Sequence, residues 1–198
     1  MKFLSTTILS VALIACSVIA APAERRASVS GTTKYSGYLY SVKLGQLGDY
    51  SNETQRGTPL TLGEDGYLTH STFEDFFFFE ESKADGWNQS PKEFGRVKYD
   101  DGSDQSLTAD TDKQGSGHAL RLQYDASSTG FDLDRQWFYA NYINGVHGPY
   151  VTLQLNGNPN DNNQDYQLPF AAYYNNHDTA TAKDTGHTYV LFNATILS

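Results

Sequence analysis

The chain has 198 residues and a formal net charge of -9, with 38% hydrophobic and 14% aromatic residues. This length fits one domain with a sizeable core, and the aromatic content excludes a disordered chain. The negative charge argues against nucleic acid as a partner, because binding a polyanion needs clustered Lys and Arg.

The N-terminus has the layout of a secretory signal. Lys2 precedes an apolar stretch at residues 3–15, and the small residues Ala20 and Ala21 follow. This predicts a signal peptide at residues 1–20 and export to the cell exterior. The dibasic pair Arg25-Arg26 predicts a short propeptide at 21–26, which leaves 27–198 as a single domain. The apolar stretch is too short to span a bilayer, and no later stretch approaches that length.

Cys16 is the only cysteine, and it supports a second interpretation of the N-terminus. Leu13-Ile14-Ala15-Cys16 resembles a bacterial lipobox, which would make the protein lipid-anchored. With the signal peptide removed, no disulfide can form, so stability must come from the aromatic and aliphatic core. Three glycosylation sequons predict a glycoprotein if the chain passes through a eukaryotic secretory pathway: Asn52, Asn88 and Asn193.

Short alternating segments separated by Gly, Asn and Asp predict an all-β protein. Leu60-Thr61-Leu62 and Tyr67-Leu68-Thr69 flank Asp65-Gly66, which predicts a hairpin. Further strands are predicted at 37–44, 76–79, 94–99, 119–124, 150–155 and 188–192. No segment has a sustained helical period, so an antiparallel architecture is expected.

A weak internal repeat favours a β-trefoil-like single domain. Phe77 follows Leu62 by 15 residues, and Trp137 follows Leu122 at the same spacing. A third copy from Leu153 to Phe170 is two residues longer. Any all-β protein with hairpins of similar length would show such spacing, so an antiparallel β-sandwich or jelly roll is the alternative.

Gln136-Trp137-Phe138 resembles the Gln-x-Trp (or Phe) signature of ricin-type trefoil lectins. Residues 57 to 140 also resemble small secreted fungal proteins of unassigned role, through segments at 76–79, 95–97, 106–108, 120–122 and 136–138. Ser106 stands where such proteins carry a cysteine. The resemblance implies a trefoil-like fold and a lectin-like function, and it places no sugar-binding Asp in this chain.

Tyrosines interleaved with asparagines suit glycans, because a sugar has an apolar C–H face and a polar rim. The predicted binding residues are Trp137, Tyr139, Asn141, Tyr142, Tyr173 and Tyr174. The same composition suits protein recognition, and tyrosines also cap β cores without binding anything. We therefore expect a monomeric, non-enzymatic protein that binds a glycan or a cell-surface protein. A structural or adhesive surface protein is a further alternative.

The enzyme alternative is a small jelly-roll glycan hydrolase or lyase, which needs two acids in one cleft. The acids nearest the Phe run are Glu74, Asp75, Glu80 and Glu81, and they also suit solvated gatekeepers of an aggregation-prone strand. The five histidines lack metal-ligand spacing, so no resident cofactor is expected. Carboxylates on flexible turns can bind calcium, and the chain has two such acidic loops, neither with EF-hand spacing. They contain Asp100, Asp101, Asp104, Asp110 and Asp112, then Asp161 and Asp165.

Overall fold

The structure is a computed structural model that describes residues 30–46, 57–87, 91–114, 117–127, 131–145, 148–160 and 166–196. The predicted signal peptide, the dibasic site and Cys16 lie outside the described residues, as do Asn52 and Asn88. Asn193 lies in the last strand. None of the helices in the described ranges has the length and apolar character needed to cross a bilayer.

Twelve antiparallel strands make up most of the described chain, which confirms the all-β prediction. They are β1 Ser30–Lys43, β2 Thr58–Leu62, β3 Leu68–His70, β4 Phe76–Lys83, β5 Glu93–Tyr99, β6 Gln105–Gln114, β7 Gly117–Tyr124, β8 Phe138–Gly145, β9 Gly148–Leu155, β10 Phe170–Tyr174, β11 His177–Thr181 and β12 His187–Ile196. A 3-10 turn spans Leu44–Gln46, and a four-residue helix, α1, spans Phe131–Asp134.

The strands form where side chains alternate between the core and the outside, because successive side chains of a strand point to opposite faces. In β9, Val151, Leu153 and Leu155 are buried while the residues between them are half-buried. In the Phe run of β4, Phe77 and Phe79 are fully buried, whereas Phe76 is exposed.

Six strands pair in a closed ring. β1 pairs with β4, β4 with β5, β5 with β8, β8 with β9, β9 with β12, and β12 returns to β1. Gly95 lies where β4 and β5 approach so closely that a side chain would clash with the backbone of Glu80. The main core fills this ring with large side chains that include Phe77, Phe79, Phe138, Leu153 and Tyr189.

The other six strands form three hairpins, β2–β3, β6–β7 and β10–β11. Tyr40, near the C-terminal end of β1, pairs with Pro59 of β2, while Ser30 at its start pairs with Lys83 of β4. The ring therefore has two distinct ends. We call the end with the hairpins β2–β3 and β10–β11 the hairpin end, and the end with the β4–β5 and β8–β9 connections the loop end.

The predicted strands all occur, and the Asp65-Gly66 hairpin is confirmed, with Gly66 at a φ of 77°. The strands β6, β8, β10 and β11 were not predicted. Residues 106–108, one of the segments that resemble the fungal proteins, lie inside β6. The 15-residue spacing of the predicted internal repeat aligned segments that occupy different positions in their hairpins. Leu62 lies in the first strand of its hairpin, whereas Leu122 lies in the second strand of its own.

Candidate functional site

A polar groove of about 640 Å³ lies between the β6–β7 hairpin and the α1 region. The side chains that line it come from β6, β7, the loop after β7 and the segment that leads into β8. They are Gln105, Thr108, Leu122, Gln123, Tyr124, Asp125, Ala126, Ser127, Asp132, Arg135 and Gln136. A concavity of this size can accommodate a small ligand, and its lining is mostly polar.

Gln136 fixes the floor of the groove with three hydrogen bonds. Its Oε1 accepts from the backbone N–H of Ala126 at 2.8 Å, and its Nε2 donates to Thr108 Oγ1 and to the Tyr124 carbonyl, both at 2.9 Å. Gln136 is only 2% exposed, so each of its polar groups needs a protein partner. The residue ties the loop after β7 to β6 and gives the groove a defined shape.

Arg135 anchors the segment before β8 to the backbone of β6. Its Nε donates to the Ala109 carbonyl at 2.7 Å, while its own carbonyl accepts from the Ala109 N–H at 2.8 Å. Its Nη2 donates to Gln123 Oε1 at 3.2 Å, and its Nη1 lies 3.8 Å from Asp132 Oδ1. Because the guanidinium is nearly buried and held on several sides, Gln123 is presented to the groove in one orientation.

Asp125 forms one wall and is held by a buried charge network. Its Oδ1 accepts from Ser106 Oγ and its Oδ2 from Lys98 Nζ, each at 2.5 Å. Arg96 Nη1 lies 3.5 Å from the same carboxylate, and the guanidinium also donates to the Ala126 carbonyl. Burial lowers the pKa of Arg96, while Asp125 and Glu80 act in the opposite direction. The cost of burying these charges is offset only while they stay paired.

Tyr124 stands at the rim with 78% of its surface exposed. Its backbone carbonyl is bound by Gln136, so the chain beneath the ring is fixed while the ring itself meets solvent. Asp132, with a side chain 80% exposed, also lines the groove. An exposed aromatic ring beside fixed amides and a carboxylate can stack on a sugar face and bind hydroxyl groups at its edge.

Trp137 cannot be the predicted stacking platform, because its side chain is 0% exposed. The ring packs edge-on against Trp87, with centroids 5.2 Å apart, in a cluster with Phe94 and Leu133. The indole is large and apolar, so the fold uses it behind the groove as a core residue. Its neighbour Gln136, noted in the sequence only as part of a signature, is the residue that shapes the groove.

The other predicted binding residues divide between the two ends of the ring. Tyr139 and Tyr142 are half-buried on β8 toward the loop end, and Asn141 is exposed between them. Tyr173 and Tyr174 are 48% and 46% exposed in the β10–β11 hairpin. The predicted set therefore forms no single site, and none of its members lines the groove.

At the loop end an ionic cluster of Lys34, Glu81 and Glu93 lines a smaller pocket of about 290 Å³. Lys34 Nζ lies 3.0 Å from Glu81 and 2.8 Å from Glu93, and the Tyr35 hydroxyl donates to Glu93 at 2.7 Å. Burial and the Glu93 carboxylate raise the pKa of Tyr35. Tyr142 stacks on Tyr35 with centroids 5.6 Å apart, so its ring is committed to packing.

The four acids near the Phe run contact different partners, so they do not converge on one cleft. Glu74 accepts from Tyr40, and Asp75 from Thr61. Glu80 lies near Arg96 and Lys98, and Glu81 binds Lys34.

The acidic loops show no metal centre within the ranges that the structure describes. No three His, Cys, Asp or Glu residues there are grouped to hold an ion. Asp101 accepts from the Ser103 N–H, and Asp110 accepts from the Tyr67 hydroxyl at 2.5 Å. Asp161 and Asp165 lie outside the described residues, as does the side chain of Asp112.

Comparison with known proteins does not assign the chain to a family. The chain matches no family model, no curated protein and no solved structure.

Proposed function

We propose that the protein is a secreted, non-enzymatic glycan-binding protein and that the groove holds the sugar. The observation that carries this proposal is the pairing of a rigid polar floor with the exposed ring of Tyr124. Gln136 and Arg135 are held before any ligand arrives, so binding would not need to order them. Preorganisation of this kind raises affinity because less conformational entropy is lost on binding.

The chemistry of the lining favours a sugar over an apolar ligand. Amides from Gln105 and Gln123, a carboxylate from Asp132 and the ring of Tyr124 line one concavity. Amide and carboxylate oxygens accept hydrogen bonds from sugar hydroxyls, and amide N–H groups donate to them. A drug-like apolar ligand would leave these groups without partners, which costs about 1–3 kcal/mol for each group.

For the fold we propose a β-trefoil. A closed ring of six strands with three hairpins is the arrangement expected of that fold, and it supports the trefoil over a two-layer sandwich or jelly roll. Phe138, the last residue of the Gln-x-Phe signature, lies in the ring core, and Gln136 lies at the groove floor. These positions agree with the lectin-like resemblance.

The surroundings of the two carboxylates in the groove, Asp125 and Asp132, favour binding over hydrolysis. A glycosidase needs one acid whose pKa is raised by an apolar environment. Asp125 is instead paired with Lys98, and the side chain of Asp132 is largely in water near Arg135. Neither carboxylate lies in the apolar surroundings that the acid of a glycosidase occupies.

The test is a glycan array combined with pull-down on wall polysaccharides, using the protein recovered from the culture medium. The proposal predicts retention on at least one oligosaccharide class without release of shorter products. Absence of retention on every glycan would contradict sugar binding, and release of reducing ends would establish the hydrolase alternative. N-terminal sequencing of the recovered protein tests the export prediction, with cleavage expected after Ala20 or Arg26.

A further inference from the structure

A second aromatic surface lies at the hairpin end, remote in sequence from the groove. His70, the last residue of β3, stacks on Tyr173 of β10 with ring centroids 4.0 Å apart and planes inclined by 16°. Tyr173 is nevertheless 48% exposed. Since the imidazole covers one face of the phenol ring, a ligand would have to contact the opposite face or the ring edge.

The imidazole is held in place from the protein interior. His70 Nε2 lies 3.0 Å from Asp178 Oδ2, and the Asp178 side chain is fully buried. Asp178 lies opposite Tyr173 in the β10–β11 pairing. Burial raises the pKa of Asp178, and contact with His70 acts against this rise. The chain of contacts from Asp178 through His70 to Tyr173 fixes the orientation of the exposed ring.

Asp178 also interacts with Tyr189 in the interior. Its Oδ1 is buried without a hydrogen-bond partner of normal geometry in the described structure, and so is the hydroxyl of Tyr189. The two groups still affect each other, since burial and the Asp178 charge raise the pKa of Tyr189. Contacts with both His70 and the Tyr189 hydroxyl compensate the burial of Asp178, and the contact with His70 also anchors the imidazole.

The turn that follows β10 carries exposed polar residues. The Thr69 hydroxyl donates to the Asn176 carbonyl at 2.9 Å and joins the first hairpin to the third. Asn175 and Asn176 form the β10–β11 turn with φ values of 49° and 66°, and both are exposed at the tip. The hairpin therefore combines an anchored aromatic ring with exposed amides in its turn, a composition that differs from an apolar protein-docking patch.

We propose that the Tyr173 ring is a second ligand site that stacks on the apolar face of a pyranose. His70 and Asp178 act as positioning residues, and the turn asparagines contact the sugar hydroxyls. A neutral sugar fits the negative charge of the protein, whereas a nucleic-acid base would bring phosphates toward it. The site shares no residue with the groove, so the protein would bind glycans at two places.

The experiment is an NMR titration of the aromatic-labelled protein with methyl glycosides of glucose, galactose, mannose and N-acetylglucosamine. The expected result is a shift of the Tyr173 ring resonances by at least one glycoside. In Tyr173→Ala this binding is lost, and in Tyr173→Phe it is retained, since the ring remains. Tyr174→Ala is the matched control, because that neighbouring ring is equally exposed and should bind as wild type does.

A further variant tests the positioning role. His70→Gln removes the stacked ring but leaves an amide that can contact Asp178, and we expect about tenfold weaker binding at Tyr173 because the phenol ring is no longer held in one orientation. The inference is overturned if no glycoside shifts Tyr173, or if Tyr174→Ala weakens binding as much as Tyr173→Ala. Shifts of Tyr124 report separately on the groove, so failure here would leave the proposed function intact.

Discussion

Replacing Gln136 by alanine tests whether the groove floor is as rigid as the structure indicates. The substitution removes three side-chain hydrogen bonds, to the Ala126 N–H, Thr108 Oγ1 and the Tyr124 carbonyl. At about 1 kcal/mol for each bond, the free energy of unfolding should fall by about 3 kcal/mol. For a chain of this size that corresponds to a decrease in Tm of roughly 6–12 °C.

Denaturant unfolding followed by tryptophan fluorescence measures this change. The two tryptophans of the chain, Trp87 and Trp137, are in contact in the cluster next to Gln136, so their emission reports on this region. Gln154→Ala is the control, because that glutamine is half-buried on β9, in the ring itself. A loss below about 1 kcal/mol, or equal losses in both variants, would refute the hydrogen-bond argument.

Three further predictions concern packing, titration and turn geometry. Trp137→Ala should lower the free energy of unfolding by about 3–5 kcal/mol in denaturant titrations, and more than Trp87→Ala; an equal cost would contradict the burial argument. The raised pKa of Asp178 means that the folded protein holds a proton which the unfolded chain has released, so stability should fall as pH rises from the ordinary aspartate value to the raised one. Asp178→Asn should flatten this fall in unfolding curves recorded across that range, and an unchanged slope would rule Asp178 out as its source. Asn176→Val should cost about 1–2 kcal/mol because of the left-handed backbone, while Asn176→Gly should cost less, as thermal unfolding can show.

Alternating or apolar segments predicted five of the six ring strands, whereas β8, which carries Phe138, was not predicted. Phe77 and Phe79 follow that pattern and are buried as expected. The β10–β11 strands escaped prediction because Ala171 and Ala180 fill the core there, and alanine has little strand preference. The Asn175-Asn176 turn was a signal for this hairpin, since asparagine tolerates positive φ.

Less of the candidate site than of the strands could be predicted from the sequence. Tyr124 ends β7 and Arg135 follows α1, and the residue pattern of this segment does not show that both face one groove. Trp137 was misassigned because sequence composition does not distinguish a buried aromatic from an exposed one. No sequence signal indicated the role of His70, since its partner Asp178 lies 108 positions away.

The most direct test of the central claim is the affinity of Tyr124→Ala for the glycan that the wild-type protein retains most strongly. Isothermal titration should show about tenfold weaker binding for this variant, the loss of roughly one stacking contact, with Tyr174→Ala unchanged. Equal affinity of Tyr124→Ala and wild type would show that the groove is not the sugar site.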